Sequence, residues 1–422
     1  IFQMKNNFHY KRSTCRLCNS KKVKLKLNMP KSQPVDNFRT YDDNQILLPS
    51  FNMDLYQCSA CGHAQLLDVV SPKILYGDYV YKSSTSPDLK KHFENYSKFL
   101  FDYGYAKKNQ KVLDIGSNDG LFLDILKRKG IKTYGIDPAV DVIKISKKKG
   151  HQVICDFLSP TSTVKIKKKF SSKFNLITAN NVFSHSDNLQ LSLKCVSQLL
   201  NHNGYYVFEV SYLLDTINSR VIDYIYHEHL SYHSIKALVP FLRKQNLYIY
   251  DVIKVPTKGG SIRVVCGKKK EKENKLLINS MIAAENALGL YGDELYNNIE
   301  NEMIYSKKII LSWFNKIKKK NKKIIFLGYG ACATGTVLSS MLDIEKHLSG
   351  FVEDNKDKHG KLSPNSFLPV LNINEVDKKM NVCFVILAWR FKDQIINNIK
   401  KNYSRKAKII ALKPSLKNIE YL

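Results

Sequence analysis

A buried strand, a tight glycine turn and the start of a helix follow one another in Val112-Leu113-Asp114-Ile115-Gly116-Ser117-Asn118-Asp119-Gly120. Apolar residues at helical spacing continue over 121–126, a second apolar strand covers 133–136, and a second helical stretch covers 140–145. Parallel strands need crossover connections, which are usually helices, so this alternation is typical of an α/β domain. The segment therefore predicts a parallel sheet whose glycine turn lies at the carboxyl end of a strand.

The alternation continues toward the carboxyl end of the chain. Further strands are predicted over residues 153–154, 174–179, 205–210, 247–253 and 261–266. The last two leave little room for a crossover, so we expect them to pair antiparallel at one edge of the sheet. Residues 268–322 predict a pair of polar linking helices, and a second βαβ pattern begins at 323. The predicted domains are an N-terminal module with an aromatic loop (1–87), a central domain (88–267), a helical linker (268–322) and a C-terminal domain (323–422).

Four of the nine cysteines form two Cys-x-x-Cys pairs, Cys15/Cys18 and Cys58/Cys61. The odd total argues against a disulfide framework. Two such pairs can present four thiolates to one zinc ion, as zinc ribbons do. A redox pair or incidental cysteines are the alternatives, and His63 is a less favoured substitute ligand. The spacing indicates a closed, structural zinc site.

The glycine turn lacks the pattern of a dinucleotide-binding loop, because Gly-x-Gly-x-x-Gly would need glycine where this chain has Asn118. The loop instead resembles motif I of the class I S-adenosylmethionine-dependent methyltransferases. In that setting Gly116 lets the backbone approach the methionine part of the cofactor, while Asp114 and nearby backbone groups bind its ammonium and carboxylate. A dehydrogenase with a degenerate loop is the alternative.

Two acidic positions further along fit the adenosine part of the same cofactor. Asp137 follows Gly120 by seventeen residues, at a strand end where a carboxylate can accept hydrogen bonds from ribose hydroxyls. Asp156-Phe157 resembles the adenine-edge motif of these enzymes. The predicted cofactor-binding residues are Asp114, Gly116, Asn118, Gly120, Asp137, Asp156, Phe157 and Asn180.

Titratable and hydroxylic side chains gather in Tyr226-His227-Glu228-His229, which apolar residues flank. His185 follows another strand, at the sheet edge where ligands of open α/β sheets collect. Such groups can supply a general base, an orienting carboxylate and a donor to a developing oxyanion. The alternatives are a helix end decorated with polar groups and a surface histidine.

In this order the motifs resemble the sugar C-methyltransferase family, which methylates C3 of nucleotide-linked 4-keto deoxysugars. The matching stretches are Cys-Arg-Leu-Cys from 15, Tyr-x-Tyr and Ser-Ser-Thr-Ser within 79–86, Asp-Ile-Gly-Ser-Asn-Asp-Gly from 114, Ala-Asn-Asn-Val-Phe from 179, Tyr-His-Glu-His from 226 and Gly-Tyr-Gly-Ala from 328. The resemblance implies an α/β protein with a class I methyltransferase Rossmann-like sheet, an N-terminal zinc-binding module and a smaller C-terminal Rossmann-like domain. A nucleotide sugar would lie between these domains.

The resemblance also implies roles for the polar side chains. A base removes the C3 proton, which the C4 ketone makes acidic, and His229 is our choice because imidazole titrates near neutrality. Glu228 would orient the imidazole or bind a sugar hydroxyl. Tyr226 and His185 would donate hydrogen bonds to the enolate oxygen.

Other positions concern access to the sugar and its identity. Tyr79 and Tyr81, on the aromatic loop, are candidates for closing over the substrate. The chain departs from the family at Lys258, where histidine usually precedes Gly259-Gly260, and at 332–335, where Cys-Ala-Thr-Gly replaces Pro-Ala-Lys-Gly.

Composition leaves two rival functions open. The 422 residues carry a net charge of +30, which suits a nucleic-acid methyltransferase, but only nine of the 67 basic residues are arginine, so nucleic acid is not the favoured partner. A zinc-bearing binding protein with an inactive methyltransferase domain is the second rival. No apolar run is long enough to span a membrane and no signal segment is evident, so we expect a cytoplasmic protein. The sequence does not indicate its oligomeric state.

Overall fold

The computed structural model describes residues 8–41, 48–76, 83–85, 87–170, 173–403 and 407–415. Within these residues the chain forms an N-terminal module of short strands, a seven-stranded central sheet and a five-stranded C-terminal sheet. The α/β class predicted from the strand and helix alternation is confirmed.

The N-terminal module is built from short antiparallel strands. Its elements are β1 (His9–Lys11), β2 (Val23–Leu27), β3 (Leu55–Cys58), β4 (Ala64–Leu66), β5 (Asp68–Val70) and α1 (Pro72–Tyr76). β3 pairs with both β2 and β4, and β1 pairs with β5. Leu27, Leu55 and Leu66 are fully buried in a core that also contains Ile177 and Phe208 of the central sheet. The module therefore packs as part of the central domain.

The central domain surrounds a seven-stranded sheet. Its elements are α2 (Pro87–Asp102), β6 (Lys111–Ile115), α3 (Leu121–Arg128), β7 (Lys132–Asp137), α4 (Val140–Lys148), β8 (Gln152–Cys155), α5 (Pro160–Phe170), β9 (Phe174–Asn180), α6 (Leu189–Leu199), β10 (Leu200–Ser211), α7 (Leu213–Asn218), β11 (Ser231–Tyr232), α8 (Ile235–Arg243), β12 (Tyr248–Val255) and β13 (Ser261–Gly267). The strand order is β12-β13-β10-β9-β6-β7-β8.

Strand directions in this sheet follow the prediction. β6 to β10 are mutually parallel, whereas β13 pairs antiparallel with β10 and with β12 at the sheet edge. β11 lies outside the sheet and pairs antiparallel with β4 of the N-terminal module. The central domain thus contributes a strand to the sheet of the module.

The turn after β6 brings backbone to the carboxyl edge of the sheet. Gly116 has a φ of 72°, and a Cβ atom there would lie 2.2 Å from Cγ2 of Val182, in the loop after β9. Both the left-handed backbone and the close neighbour require glycine at this position. The backbone at residue 116 therefore faces the adjacent loop without an intervening side chain.

Two helices, α9 (Lys275–Ala287) and α10 (Glu294–Lys320), follow the central sheet. Tyr296 and Ile299 of α10 are buried in the core shared by the first two parts, whereas Ile310 and Phe314 are buried in the core of the C-terminal domain. The linker is thus a packed element that belongs to both cores. No helix in the described part of the chain is long and apolar enough to cross a membrane.

The C-terminal domain is a parallel sheet with helices. Its elements are β14 (Ile325–Tyr329), α11 (Ala333–Leu342), β15 (Gly350–Val352), β16 (Val370–Leu371), β17 (Val382–Ile386), α12 (Lys392–Asn402) and β18 (Lys408–Ala411). The strand order is β16-β15-β14-β17-β18. The strands that the sequence predicts over 323–327, 348–352, 382–387 and 408–412 correspond to β14, β15, β17 and β18, whereas the two-residue β16 was not predicted.

Buried polar contacts join the C-terminal domain to the other parts. Asp223, which is fully buried, accepts hydrogen bonds from Nε1 of Trp389 at 3.0 Å and from Arg390 at 3.4 Å. Oδ1 of Asn365 accepts the backbone amide of Gln33 at 2.8 Å. The C-terminal domain therefore contacts both the central domain and the N-terminal module.

Candidate active site and metal centre

Four thiols come together in the N-terminal module, from Cys15, Cys18, Cys58 and Cys61. Their Sγ atoms all lie within 4.8 Å of one another, and the 15–61 and 18–58 pairs are both 3.6 Å apart. Tetrahedral zinc with Zn–S bonds of about 2.3 Å requires sulfurs roughly 3.8 Å apart, so the thiols fit this metal. His63 is outside this group, and its Nε2 lies 3.1 Å from Oγ of Ser231. The four thiols are thus arranged as the ligands of a structural zinc site would be.

A cavity of about 330 Å³ opens at the carboxyl ends of β6, β7 and β9. Seven of the eight predicted cofactor residues line it, namely Asp114, Gly116, Asn118, Asp137, Asp156, Phe157 and Asn180. Gly120 is not among the lining residues. It faces His151 and Ser146 instead, which a Cβ atom at this position would meet. With a φ of 84°, Gly120 instead shapes the start of α3.

Asp137 stands at the end of β7, where the loop after β6 binds it. Its Oδ2 accepts the backbone amide of Asn118 at 3.0 Å, and its Oδ1 accepts that of Ala139 at 2.9 Å. Burial raises the pKa of Asp137, and the two amides oppose this shift. Each carboxylate oxygen keeps a further lone pair for a donor in the cavity.

Two polar groups lie at the methionine end predicted for the cofactor. Asp114 is buried and accepts the hydroxyl of Thr178 at 2.6 Å, while burial raises the pKa of Asp114 to about 7. Oδ1 of Asn180 is buried and lacks a hydrogen-bond partner among the described residues. A buried acceptor without a donor is costly, so a cationic ligand group at this position would be favoured.

The adenine end presents an aromatic face. Phe157 is 51% exposed although it lines the cavity, which leaves its ring available for stacking on a base. Asp156 accepts the backbone amide of Phe157 at 2.9 Å and pairs with Lys165 at 2.8 Å. The carboxylate of Asp156 is therefore partly engaged by the protein.

Two histidines from separate loops meet beside the cavity. His185 lines it, and the ring centre of His229 lies 5.2 Å from that of His185. Nδ1 of His229 is 2.9 Å from the backbone oxygen of Tyr224. A carbonyl oxygen only accepts, so Nδ1 carries the proton and Nε2 keeps its lone pair. Burial, followed by the charge of Lys258, lowers the pKa of His229 to about 3.

The rest of the Tyr-His-Glu-His run occupies different surroundings. The ring of Tyr226 lies 4.2 Å from that of His229, whereas His227 is buried with its Nε2 3.4 Å from the backbone oxygen of Phe51. Burial, and then the charge of Asp36, raise the pKa of Glu228 to about 8. No hydrogen bond joins Glu228 to His229 in the described chain. The orienting partner of the imidazole is thus a backbone carbonyl.

Residues 83–85, which follow the two predicted tyrosines in the sequence, contact the cofactor loop. Tyr79 and Tyr81 lie outside the described residues. Ser83 and Ser84 donate their backbone amides to side-chain oxygens of Asn118 at 2.9 Å and Asp119 at 3.2 Å. The segment after the two tyrosines is therefore anchored to the cofactor loop.

A buried ionic group that the sequence did not reveal joins the central sheet to α2. Glu209, fully buried in β10, contacts Arg263 at 2.6 Å and His92 of α2 at 2.7 Å. The guanidinium of Arg263 lies 4.0 Å from the ring centre of Tyr96. Glu209 and Arg263 each lie among apolar residues of a strand, and this is the sign of a buried charge that the sequence offers. Their pairing depends on the register of the sheet.

Comparison with known families divides this chain into three matched segments. Three family models match it in succession, a zinc-binding domain over residues 15–76, a methyltransferase domain over 89–252 and a C-methyltransferase C-terminal domain over 256–414. The C-methyltransferase NovU of Streptomyces niveus is 24% identical over 357 residues, which are 83% of each chain.

Among solved structures, magnesium protoporphyrin IX methyltransferase from Synechocystis matches 43% of this chain and 83% of its own, with 13% identity and a TM-score of 0.35. A methyltransferase from Clostridium acetobutylicum matches 46% of this chain and 94% of its own, with 15% identity and a TM-score of 0.33. The succession of zinc-binding, methyltransferase and C-methyltransferase domains places this chain in the family of zinc-containing C-methyltransferases that use S-adenosylmethionine.

Proposed function

We propose that this enzyme methylates C3 of a nucleotide-linked 4-keto deoxysugar through an enolate. The observation that carries the proposal is the pair formed by His185 and His229 beside the cofactor cavity, in which Nε2 of His229 keeps its lone pair. A carbon acid next to a ketone needs such a base, because carbon does not become nucleophilic without losing its proton. The relative named C-methyltransferase supports methyl transfer to carbon, and the motif resemblance implies the sugar substrate.

The residues that line the cavity suit the cofactor. Asp114 and Asn180 offer acceptors for its ammonium, Asp137 offers two oxygens to its ribose, and Phe157 offers an aromatic face to its adenine. S-adenosylmethionine supplies the electrophilic methyl group when bound. Asp137 also adds a negative charge to the lining, which favours a cationic ligand.

His229 is proposed to take the C3 proton. Burial lowers the pKa of His229 to about 3, so the imidazole is neutral but does not titrate near neutrality as the sequence-based choice expected. Its ability to take the proton then depends on the developing enolate, which stabilises the imidazolium. As Nε2 receives the proton, Nδ1 keeps its hydrogen bond to the carbonyl of Tyr224. The resulting imidazolium lies beside the anionic enolate, and their attraction is strong where water is excluded. A positioned base of this kind contributes roughly 100- to 10,000-fold to a rate.

The neighbouring groups are proposed to hold the sugar. Tyr226 and His185 donate to the C4 oxygen as charge develops on it. Glu228, which is largely protonated below pH 8, can both donate to and accept from a sugar hydroxyl. Tyr79 and Tyr81 remain candidates for closing the site over the sugar.

His229→Asn tests the proposal, since asparagine can keep a donor near the Tyr224 carbonyl but provides no base. We expect solvent exchange of the C3 proton in a nucleotide 4-ketosugar to stop, while S-adenosylhomocysteine still binds. His202→Asn, at an exposed histidine, is the matched control. Exchange at the wild-type rate in His229→Asn would mean that another residue is the base.

The net charge of +30 is the observation that favours a nucleic-acid substrate instead. Binding of this kind weakens steeply with added salt because counterions are released from the phosphates. A salt titration of RNA and DNA binding, run beside the sugar-nucleotide assay, distinguishes the two substrate classes.

A further inference from the structure

Lys258 occupies a tight turn between β12 and β13. Its φ of 55° lies in the left-handed region, which side-chain-bearing residues rarely adopt. The turn is closed by the backbone amide of Gly260 and the hydroxyl of Ser261, which both bond the oxygen of Thr257, at 2.9 and 3.1 Å. A strained position held by its surroundings is typical of a functional site.

The ammonium of Lys258 has an unusual place in the cavity. Among the described residues that line it, Lys258 is the only lysine or arginine. No described residue forms an ion pair or hydrogen bond with its Nζ, although its charge acts on the titration of His185 and His229 and is influenced by Glu228 and Glu209. The cavity therefore contains one cation that is free to meet an anionic group of a ligand.

We propose that the ammonium of Lys258 stabilises the enolate oxygen and is thereby a catalytic residue of the enolisation step, an inference that rests on the proposed function. In this step Nε2 of His229 accepts the C3 proton. The electron pair of the broken C3–H bond forms the C3–C4 double bond, and the carbonyl π pair moves onto the C4 oxygen. Lys258 keeps its protons and donates a hydrogen bond to that oxygen.

A full positive charge stabilises an oxyanion more strongly than a neutral hydrogen-bond donor does. Tyr226 and His185 supply dipoles, and burial keeps His185 neutral by lowering its pKa well below the usual value. The Lys258 cation adds a charge that the ground-state ketone does not need and that is used only as the oxyanion forms. Lys258 is an exposed residue, yet desolvation of its ammonium lowers its pKa to about 8, so the cation persists at neutral pH and is lost above pH 8.

Lys258→Met tests the inference by removing the charge while keeping the length of the stem. The assay is deuterium uptake at C3 of the nucleotide 4-ketosugar with S-adenosylhomocysteine present, so that no methyl transfer is required. We expect exchange at saturating sugar to fall about 100- to 1,000-fold, the loss typical of one oxyanion donor. Binding of S-adenosylhomocysteine and of the sugar nucleotide should stay within about threefold of wild type.

Lys258→Arg gives a second readout. Arginine does not titrate in the assay range, so the alkaline decline of exchange near pH 8 should be smaller than in the wild type, and the decline that remains is expected from Glu228, whose pKa is also about 8. Lys254→Met is the matched control, because Lys254 lies on the same hairpin and pairs with Asp215 at 2.9 Å.

Several results would overturn the inference. Weakened binding of S-adenosylhomocysteine would assign Lys258 to the methionine carboxylate, and weakened sugar-nucleotide binding with unchanged exchange at saturation would assign it to the phosphates. Borohydride trapping of a sugar adduct on Lys258 would indicate an imine in place of an enolate. If wild-type protein exchanges no proton in any 4-ketosugar tested, the proposed function itself fails. Normal exchange in Lys258→Met would instead refute only the role of Lys258.

Discussion

Asp137→Ala tests whether the carboxylate at the end of β7 binds the ribose of S-adenosylmethionine. Each of its oxygens already accepts one backbone amide, at 3.0 Å from Asn118 and 2.9 Å from Ala139. One lone pair remains on each oxygen for a ribose hydroxyl. Removing a hydrogen bond to a charged group costs about 1.5 to 3 kcal/mol. Because about 1.4 kcal/mol is tenfold, we expect the dissociation constant to rise about 10- to 150-fold.

The same substitution should also weaken the free protein. The amide of Asn118 lies in a residue that is only 8% exposed, and without Asp137 this donor loses its acceptor. An unsatisfied buried donor costs about 1 to 3 kcal/mol, so the thermal midpoint should fall even without ligand. Asp137→Asn offers no milder test, since its amide nitrogen would face one of the two backbone donors.

Isothermal titration with S-adenosylhomocysteine measures the change in the dissociation constant. A thermal scan of the free protein measures the change in its thermal midpoint. Asp141→Ala is the matched control, because Asp141 lies nearby on α4, is exposed and pairs with Lys144 at 3.0 Å. We expect that control to leave affinity unchanged. A folded Asp137→Ala protein that binds S-adenosylhomocysteine as the wild type does would remove Asp137 from the ribose site.

The remaining predictions concern the metal and the pH dependence of stability. Elemental analysis of chelator-free protein should give one zinc per chain, and Cys15→Ser should lower both the zinc content and the thermal midpoint; native protein without zinc would contradict the four-cysteine site. Glu228 has a folded-state pKa of about 8, raised from its ordinary 4.5, so its contribution to stability is present below pH 4.5 and is lost as the pH rises through 8. Glu228→Gln should therefore flatten the decline of the thermal midpoint over this window, with exposed Glu94→Gln as the control, and an unchanged slope would refute the buried location of the carboxyl.

Local patterns predicted much of the fold because they report on local physics. The strand, glycine turn and helix around Gly116 follow from burial and from a backbone that only glycine adopts easily. The antiparallel edge pair follows from the short connection between β12 and β13. The thiol cluster likewise follows from two tight knuckles in which each pair of cysteines is preset by its own turn.

Contacts between distant segments were not predictable in the same way. The pairing of β11 with β4 unites segments more than 160 residues apart, and neither strand exceeds three residues. Tyr224 orients His229 through its backbone oxygen. Every residue has such an oxygen, so the sequence does not reveal this contact. Position 120 is a glycine, as the motif requires, but it faces His151 and not the cavity. Its orientation is set by the packing of α3 and not by the motif.

The zinc site and the proposed base are coupled through one arginine. Arg16 lies between two zinc-binding cysteines, is 1% exposed, and donates to the backbone oxygen of Leu230 at 3.3 Å. Its Nε also lies 3.0 Å from Asp187, which lines the cofactor cavity. Leu230 directly follows His229, so the metal knuckle fixes the backbone next to the base and one wall of the cavity together. A displacement of about 1 Å at reacting groups can cost roughly 100-fold in rate, which is far more than it costs in binding. The metal has four protein ligands and thus no open position for a substrate. Its loss should nevertheless slow C3 proton exchange by a larger factor than it weakens binding of S-adenosylhomocysteine.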